Sequence, residues 1–273
     1  MLRQVALLLC FCFILSAGPK GTLVIMGGGD ETADLVAAVR DSAGGKGGVL
    51  GIIPTANSNP ARSLKAWKEV FQKAGLAIVP LDVRTREDAS RPALLADAKG
   101  CTAFWFSGGD QVRIAGKIVG TPLQKLIQEK YGDGAGVGGS SAGAAMMSRI
   151  MLTGEDRHGK EGLSEFGPGA YQPREGMGFL PDRVIVDQHF LRRGRQNRLF
   201  SLIMEHPDHL GLGIDEDTAL AVKDGKATVL GKNSVMVFDP AGMTINGGSF
   251  RDLRIHVLRA GQSIELASRK VSQ

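Results

Sequence analysis

Short apolar runs without strict alternation recur through the first half of the chain, each followed by a segment whose apolar positions repeat at helical spacing. GTLVIMGGGDET (21–32) predicts a buried strand entering a glycine turn, and TADLVAAVRDSAGG (32–45) a helix stopped by glycines. The unit repeats. VLGIIPTAN (49–57) reads as strand, ARSLKAWKEVFQKAG (61–75) as an amphipathic helix closed by Gly75, and LAIVPLDV (76–83) as strand. PALLADAKG is a short helix, CTAFWFSGGD (101–110) a strand with a glycine turn, and QVRIAGKIVGTPLQKLIQEKYG mostly helix before the short strand AGVGGSS. Strands that are apolar on both faces, each followed by a helix, point to a parallel sheet covered on both sides. The expected fold is α/β, a doubly wound, largely parallel flavodoxin-like sheet whose ligands bind beyond the carboxyl ends of its strands.

The pattern changes near residue 151. Residues 151–181 are dense in Gly, Pro and charge, and predict a long surface insertion of the kind that covers a cleft. RVIVDQHF (183–190) returns to strand, LRRGRQNRLFSLIMEHPD to helix, and GLGIDEDTALAV (211–222) to a strand entering a turn. KATVLGKNSVMVFD and FRDLRIHVLRAGQSIELAS each pair two apolar runs across a glycine-containing turn, predicting C-terminal β-hairpins. No linker composition interrupts the series, so residues 18–273 are expected to form one domain.

Composition narrows the function classes. Aromatics make up 5% of the 273 residues while glycines number 38, which favours many tight strand-to-helix turns over an aromatic recognition surface. The net charge is +5, without a block of five like charges, and the arginines are not interleaved with stacking aromatics, so nucleic acid is not an expected partner. At the N-terminus, a basic start, an apolar run from Val5 to Leu15 and the small residues Ser16, Ala17 and Gly18 follow the order of an export signal. Residues 1–17 are thus expected to be a signal peptide and the product secreted or periplasmic; left uncleaved, the chain would be cytoplasmic. The apolar run falls short of the about 20 residues that a stable membrane anchor needs. Cleavage after Ala17 would remove Cys10 and Cys12 and leave Cys101 alone, with no internal disulfide to form.

Gly139-Ser140-Ser141-Ala142-Gly143 is a G-x-S-x-G pattern between a short apolar strand and a helix-like stretch. A serine on such a turn sits in a strained backbone and needs small neighbours. Ser141 holds that place, close to main-chain N–H groups of a helix start that can stabilise an oxyanion. A serine nucleophile needs a base. Of the histidines, His189 differs from His158, His206, His209 and His256 because it follows the apolar run Val184–Val186 at a strand's carboxyl end, where Ser141 also lies. An orienting carboxylate is offered three times, by Asp215, Glu216 and Asp217; alternation puts Asp215 and Asp217 on one side and Glu216 on the other, which does not choose among them. Phe106-Ser107-Gly108-Gly109-Asp110-Gln111 makes a second glycine turn whose amides could complete an oxyanion hole. GGGD at 27–30 fails the dinucleotide fingerprint, because Thr32 stands where the last glycine is needed, and reads as a tight turn. Arg192, Arg193, Arg195 and Arg198 crowd the start of the helix expected after His189, against its dipole, which suggests acidic groups on a substrate.

FSGGDQ, GGSSAGAAM, DQHFLRRGRQNRL and GLGIDEDTA stand in the order and spacing of cyanophycinases and related serine peptidases, and the chain resembles that family from about Gly21 to Val271. The resemblance implies a flavodoxin-like fold, with Ser141 as nucleophile, His189 as general base and acid, and Glu216 as the orienting carboxylate. It also implies that Gln111, Asp187, Gln188, Arg193, Arg195 and Arg198 line the substrate site; Arg192 has no matching role. With the amides near Gly109 and Ala142 as the oxyanion hole, neither metal nor cofactor is called for. The substrate it implies is cyanophycin, a polyaspartate carrying arginine on each β-carboxylate, cleaved as by an exopeptidase through an acyl-enzyme to β-Asp-Arg dipeptides. A dipeptidase for short aspartyl or isoaspartyl peptides, and a non-catalytic polyanion-binding protein, are the alternatives. Expected partners are the peptide substrate and at most a second copy of the chain as a homodimer. Two departures stand out: Asn197 replaces an expected Gly, and residues 154–176 match no pattern of the family.

Overall fold

A computed structural model describes residues 18–158 and 165–273. The expected signal segment, 1–17, lies outside the described residues. In chain order the strands are β1 Leu23–Met26, β2 Val49–Ile53, β3 Ala77–Pro80, β4 Ala103–Phe106, β5 Gly136–Ser140, β6 Ile150–Asp156, β7 Tyr171–Glu175, β8 Val184–Gln188, β9 Leu210–Ile214, β10 Thr218–Lys223, β11 Lys226–Gly231, β12 Val235–Asp239, β13 Thr244–Asn246, β14 Ser249–Arg251, β15 Arg254–Leu258, β16 Ser263–Glu265 and β17 Val271–Ser272. The helices are α1 Ala33–Ser42, α2 Pro60–Lys73, α3 Pro92–Gly100, α4 Gln111–Ile118, α5 Pro122–Asp133, α6 Ala142–Ala145 and α7 Gln196–Glu205.

Nine strands form the main sheet, in the order β17-β16-β11-β10-β1-β5-β4-β2-β3. Its β1, β5, β4, β2 and β3 are parallel. Counted from β2, the order β3-β2-β4-β5 is that of a flavodoxin-like sheet, with β1 in the place of a fifth strand. The period-two geometry of strands divides the core into two layers. Leu23 and Ile25 of β1 and Phe104 and Phe106 of β4 face a cluster that includes Leu94, Ile114, Ile118, Leu123 and Ile127 of α3, α4 and α5. Val24, Met26, Ala103 and Trp105 face the other way, onto Leu35 and Val39 of α1 and Phe71 of α2. Trp67, Phe71 and Trp105 pack as a triplet with ring centroids 4.8–5.5 Å apart. Phe71 and Trp105 are fully buried and Trp67 partly so; a fully buried Phe side chain contributes about 1.5–3 kcal/mol. Cys101 is buried in the first layer, and burial pushes its thiol up to about 11.

The second half departs from the expected single sheet. β8 and β9 are parallel, but they belong to a separate four-stranded sheet, β15-β12-β9-β8. Val184, Val186, Leu212 and Ile214 turn one face of it toward the main core. Ile185 and Phe238 pack with Leu199, Leu202 and Ile203 of α7 on the other face. The two hairpins read from KATVLGKNSVMVFD and FRDLRIHVLRAGQSIELAS are therefore corrected. β11 pairs with β10 and β16, whereas β12 pairs with β9 and β15, so the apolar runs of each stretch lie in different sheets. The antiparallel C-terminal strands are present; local sequence did not select their partners. α7 also begins later than expected, at Gln196, because Gly194 adopts a φ of 60° and breaks helical continuation from His189. The insertion at 151–181 carries β6 and β7 as an antiparallel pair, with 159–164 outside the described residues.

Candidate active site

Ser141 stands at the junction of β5 and α6 with φ 54° and ψ −108°, a conformation that L-residues rarely adopt. Hydrogen bonds on both sides impose it. Its amide donates to the Met26 carbonyl at 3.0 Å, extending the β1–β5 ladder, while its own carbonyl accepts from Ala144 and Ala145 at the head of α6. Strand and helix thus meet without a connecting loop. The flanking glycines follow from that geometry: a Cβ on Gly139 would lie 2.6 Å from the Gly143 carbonyl oxygen, and one on Gly143 would lie 2.2 Å from the Phe106 oxygen.

His189 follows β8, buried and with φ 50°. Its Nε2 is 2.8 Å from Ser141 Oγ and its Nδ1 is 2.6 Å from Glu216 Oε1. A carboxylate only accepts, so Nδ1 carries the proton and Nε2 offers its lone pair to the serine hydroxyl. The hydroxyl also approaches Gln188 Oε1, at the longer distance of 3.3 Å. Burial is the largest influence on the His189 pKa and lowers it; the Glu216 hydrogen bond opposes this, and the charges of Arg193 and Arg195 add to the lowering. The net shift is below the ordinary imidazole value, so the base form prevails at neutral pH. Of the three acids in the turn after β9, Glu216 faces the imidazole. Asp215 accepts from the Arg192 amide at 2.9 Å, and Asp217 accepts from the Asp30 amide at 2.7 Å.

The Gly27–Gly29 turn connects these parts. The His189 amide donates to the Gly27 carbonyl and the Asp217 amide to the Gly28 carbonyl, each at 2.8 Å. Gly28 has φ 118°, and a Cβ there would sit 2.1 Å from His189 Cε1. The tight turn expected at GGGD is present, and it is the seat of the imidazole. Three glycines after a uniformly apolar strand were the available signal, but nothing local showed what would approach them.

A cleft of about 270 Å³ opens beside Ser141. Gly109, Gln111 and Gln188 line it together with Arg193, Arg195 and Arg198. Ala142 and Gly143 head α6, where first-turn amides lack intrahelical acceptors. A Cβ on Gly108 would lie 3.3 Å from Ser141 Cβ, so the second glycine turn lies directly against the nucleophile turn.

Residues 23–230 match the model of Peptidase family S51. The chain belongs to that family. The peptidase is 34% identical over 272 residues to a cyanophycinase of Synechococcus elongatus, covering 93% of this chain and 82% of the relative. It is 33% identical over 267 residues to one of Nostoc sp., covering 92% and 88%. Among solved structures, a peptidase from an acI-B1 Actinobacterium superposes with a TM-score of 0.67 at 26% identity, covering 91% of this chain and 98% of that one. A putative peptidase E protein of Listeria monocytogenes, with a TM-score of 0.54 at 16% identity, shares the fold, covering 78% and 99% of the two chains. This is a serine-type peptidase.

The peptidase distributes the residues expected around its cleft between two layers. Asp187 is buried beneath the wall and is bound by Arg198, whose Nε lies 2.6 Å from Asp187 Oδ2 and whose Nη2 engages Oδ1. Asp187 therefore supports the cleft and does not line it. Arg195 donates through Nη1 to the Gln188 carbonyl at 2.9 Å. Gln111 Nε2 donates to the carbonyls of Leu152 and Thr153 at 2.8 and 2.7 Å, tying β6 to the start of α4. Arg192, which has no role by resemblance, lies with Nε 3.9 Å from Glu216 Oε2; Arg193 Nε is 3.8 Å from Oε1. Arg192 and Arg193 lie before α7 and not on it, so the expected crowding of four arginines at the start of that helix reduces to Arg195 at its N-cap and Arg198 within it. Among the described residues, no group of three or more His, Cys, Asp or Glu side chains could hold a metal ion, and no helix is long and apolar enough to cross a membrane.

Proposed function

We propose that this peptidase hydrolyses cyanophycin, releasing β-Asp-Arg dipeptides as an exopeptidase through an acyl-enzyme formed on Ser141. The observation that carries the reading is the continuous chain Ser141 Oγ–His189 Nε2–Glu216 at 2.8 and 2.6 Å, built on a strained serine turn. Ser141 Oγ attacks the scissile carbonyl carbon as its proton passes to His189 Nε2, and Glu216 supports the imidazolium that forms. The amides of Gly109 and Ala142 take the tetrahedral oxyanion. Collapse breaks the C–N bond, and the leaving amine receives the proton from Nε2. Water then attacks the ester, gives its proton to Nε2 and leaves a free carboxylate and the regenerated serine. The arginines of the cleft suit the carboxylates of a polyaspartate chain, and the relatives named cyanophycinase support the same substrate. With the export signal expected in residues 1–17, the enzyme would act outside the cytoplasm, as a secreted or periplasmic protein.

The test is incubation of purified protein with cyanophycin granules, with soluble products identified by mass. Dipeptides of β-Asp-Arg are expected from the wild type. Ser141→Ala should lower turnover by about 10⁴-fold or more while leaving the thermal transition in place. Cleavage of free aspartyl dipeptides without release from granules would select the dipeptidase reading; undiminished hydrolysis by Ser141→Ala would remove the serine from the chemistry.

A further inference from the structure

The β6–β7 pair contains an irregularity beside the cleft. Leu152 pairs with Pro173 and Asp156 with Tyr171, so Thr153, Gly154 and Glu155 together stand opposite Gln172. Such a β-bulge bends its strand and redirects a side chain. Gly154 permits the bend with φ 100°, and a Cβ there would already lie 3.4 Å from Arg198 Nη1. Thr153 Oγ1 donates to the Gln172 carbonyl and accepts from the Glu155 amide, at 2.8 and 3.2 Å. Gln111 fixes the same segment from the cleft side through the Leu152 and Thr153 carbonyls. The result is that all three bulge residues line the cleft that contains Ser141.

Glu155 is the residue whose placement the bulge does not otherwise explain. Among the described residues no group pairs with its carboxylate, although it shares the cleft with Arg193 and Arg195. Asp110, the other carboxylate lining the cleft, caps α4 by accepting from the Val112 amide at 2.8 Å and has Arg113 at 3.7 Å. A purely anionic substrate would meet attraction from the arginines and repulsion from Glu155. A substrate unit that carries both charges would satisfy both.

We infer that Glu155 is a specificity-determining residue: held by the bulge, it takes the cationic side chain of the substrate unit at the scissile bond, and so selects arginine-bearing over uncharged aspartyl chains. The inference rests on the proposed action at Ser141 and adds to it the source of side-chain selectivity. Because Glu155 is exposed, solvent screens the contact, and the preference should be moderate and should fall with salt.

Two synthetic trimers test it, one of β-Asp-Arg units and one in which citrulline, the neutral isostere, replaces each arginine. The wild type is expected to favour the arginine peptide in kcat/KM. Glu155→Gln should lower kcat/KM for the arginine peptide about fivefold to tenfold and leave the citrulline peptide within about twofold, while Glu155→Lys should reverse the preference. Turnover of the citrulline peptide also reports that the variants fold. Equal losses on both peptides, or no loss on the arginine peptide, would overturn the role of Glu155 while leaving the reading of Ser141 intact. A wild type inert toward both peptides would overturn the two together.

Discussion

The two sheets contribute to the site in different ways. The main sheet supplies one reactive group, Ser141, through a local device: a strand that becomes a helix within one residue, flanked by glycines that allow close approach. The four-stranded sheet supplies two groups from adjacent parallel strands, His189 after β8 and Glu216 after β9. Their relation is set by register, since Gln188 pairs with Ile214 and the two turns leave the sheet side by side. A serine turn can be recognised in isolation, whereas a histidine and its carboxylate acquire meaning only once two distant strands are paired. At the site itself the two sheets are joined by the carbonyls of Gly27 and Gly28, which accept from the His189 and Asp217 amides.

The largest effect should come from that junction. In Gly28→Ala the new methyl would occupy the space of the His189 ring and would sit on a backbone whose φ of 118° an L-residue rarely adopts. Turnover is expected to fall about a thousandfold, because the base loses its position relative to Ser141, and the backbone strain should lower the thermal transition as well. Gly27→Ala is the harsher change for the fold. Its methyl would lie 2.2 Å from the Asp215 carbonyl oxygen and 2.5 Å from that of Ile214, main-chain atoms that cannot step aside, so its loss of stability should be the larger of the two. Calorimetry and turnover on the same preparations separate the two cases. A fully active Gly28→Ala protein would show that the junction is not what seats the imidazole.

Next in size is the support of the smaller sheet. Asp187 and Arg198 are almost completely buried and satisfy each other. Arg198→Met removes one partner and leaves a carboxylate without its counter-charge, a change that costs about 3–5 kcal/mol in comparable buried pairs. Denaturant titrations of wild type and variant measure this, and a deficit under about 1 kcal/mol would argue against an uncompensated charge.

Legibility in the sequence follows the same division. β1 to β5 and α1 to α3 could be read from periodicity because each element meets a neighbour close in the chain, α4 and α5 were read as one mostly helical stretch, and the G-x-S-x-G turn was legible because its glycine requirement is local. The residue pattern around Asp215, Glu216 and Asp217 left the acid undecided; the family resemblance selected Glu216, and the structure turns that residue to His189. The C-terminal runs were recognised as strands but assigned to the wrong partners, since β11 and β12 diverge into different sheets across a turn that looks like a hairpin. The importance of Gly28 and of the bulge at 153–155 was not legible, because each depends on atoms from segments far away in sequence. Residues 151–181 were read as loop from their Gly, Pro and charge content, which conceals the β6–β7 pair.

The smallest expected effect tests how the two regions share charge. Arg193 is half-exposed, 3.8 Å from the carboxylate that orients His189, and its charge is among the causes that hold the imidazole below its ordinary value. Arg193→Gln removes a cation that disfavours the imidazolium, so the His189 pKa should rise, and the acid limb of kcat/KM should move to higher pH. The displacement should be less than about one pH unit, because burial, the largest cause, is untouched and solvent screens an exposed charge. Raising the ionic strength should narrow the difference between wild type and variant. A limb that moved to lower pH would mean that Arg193 acts chiefly by holding Glu216 against the imidazole; in that case the loop after β8 would set the strength of the base through geometry and not through charge.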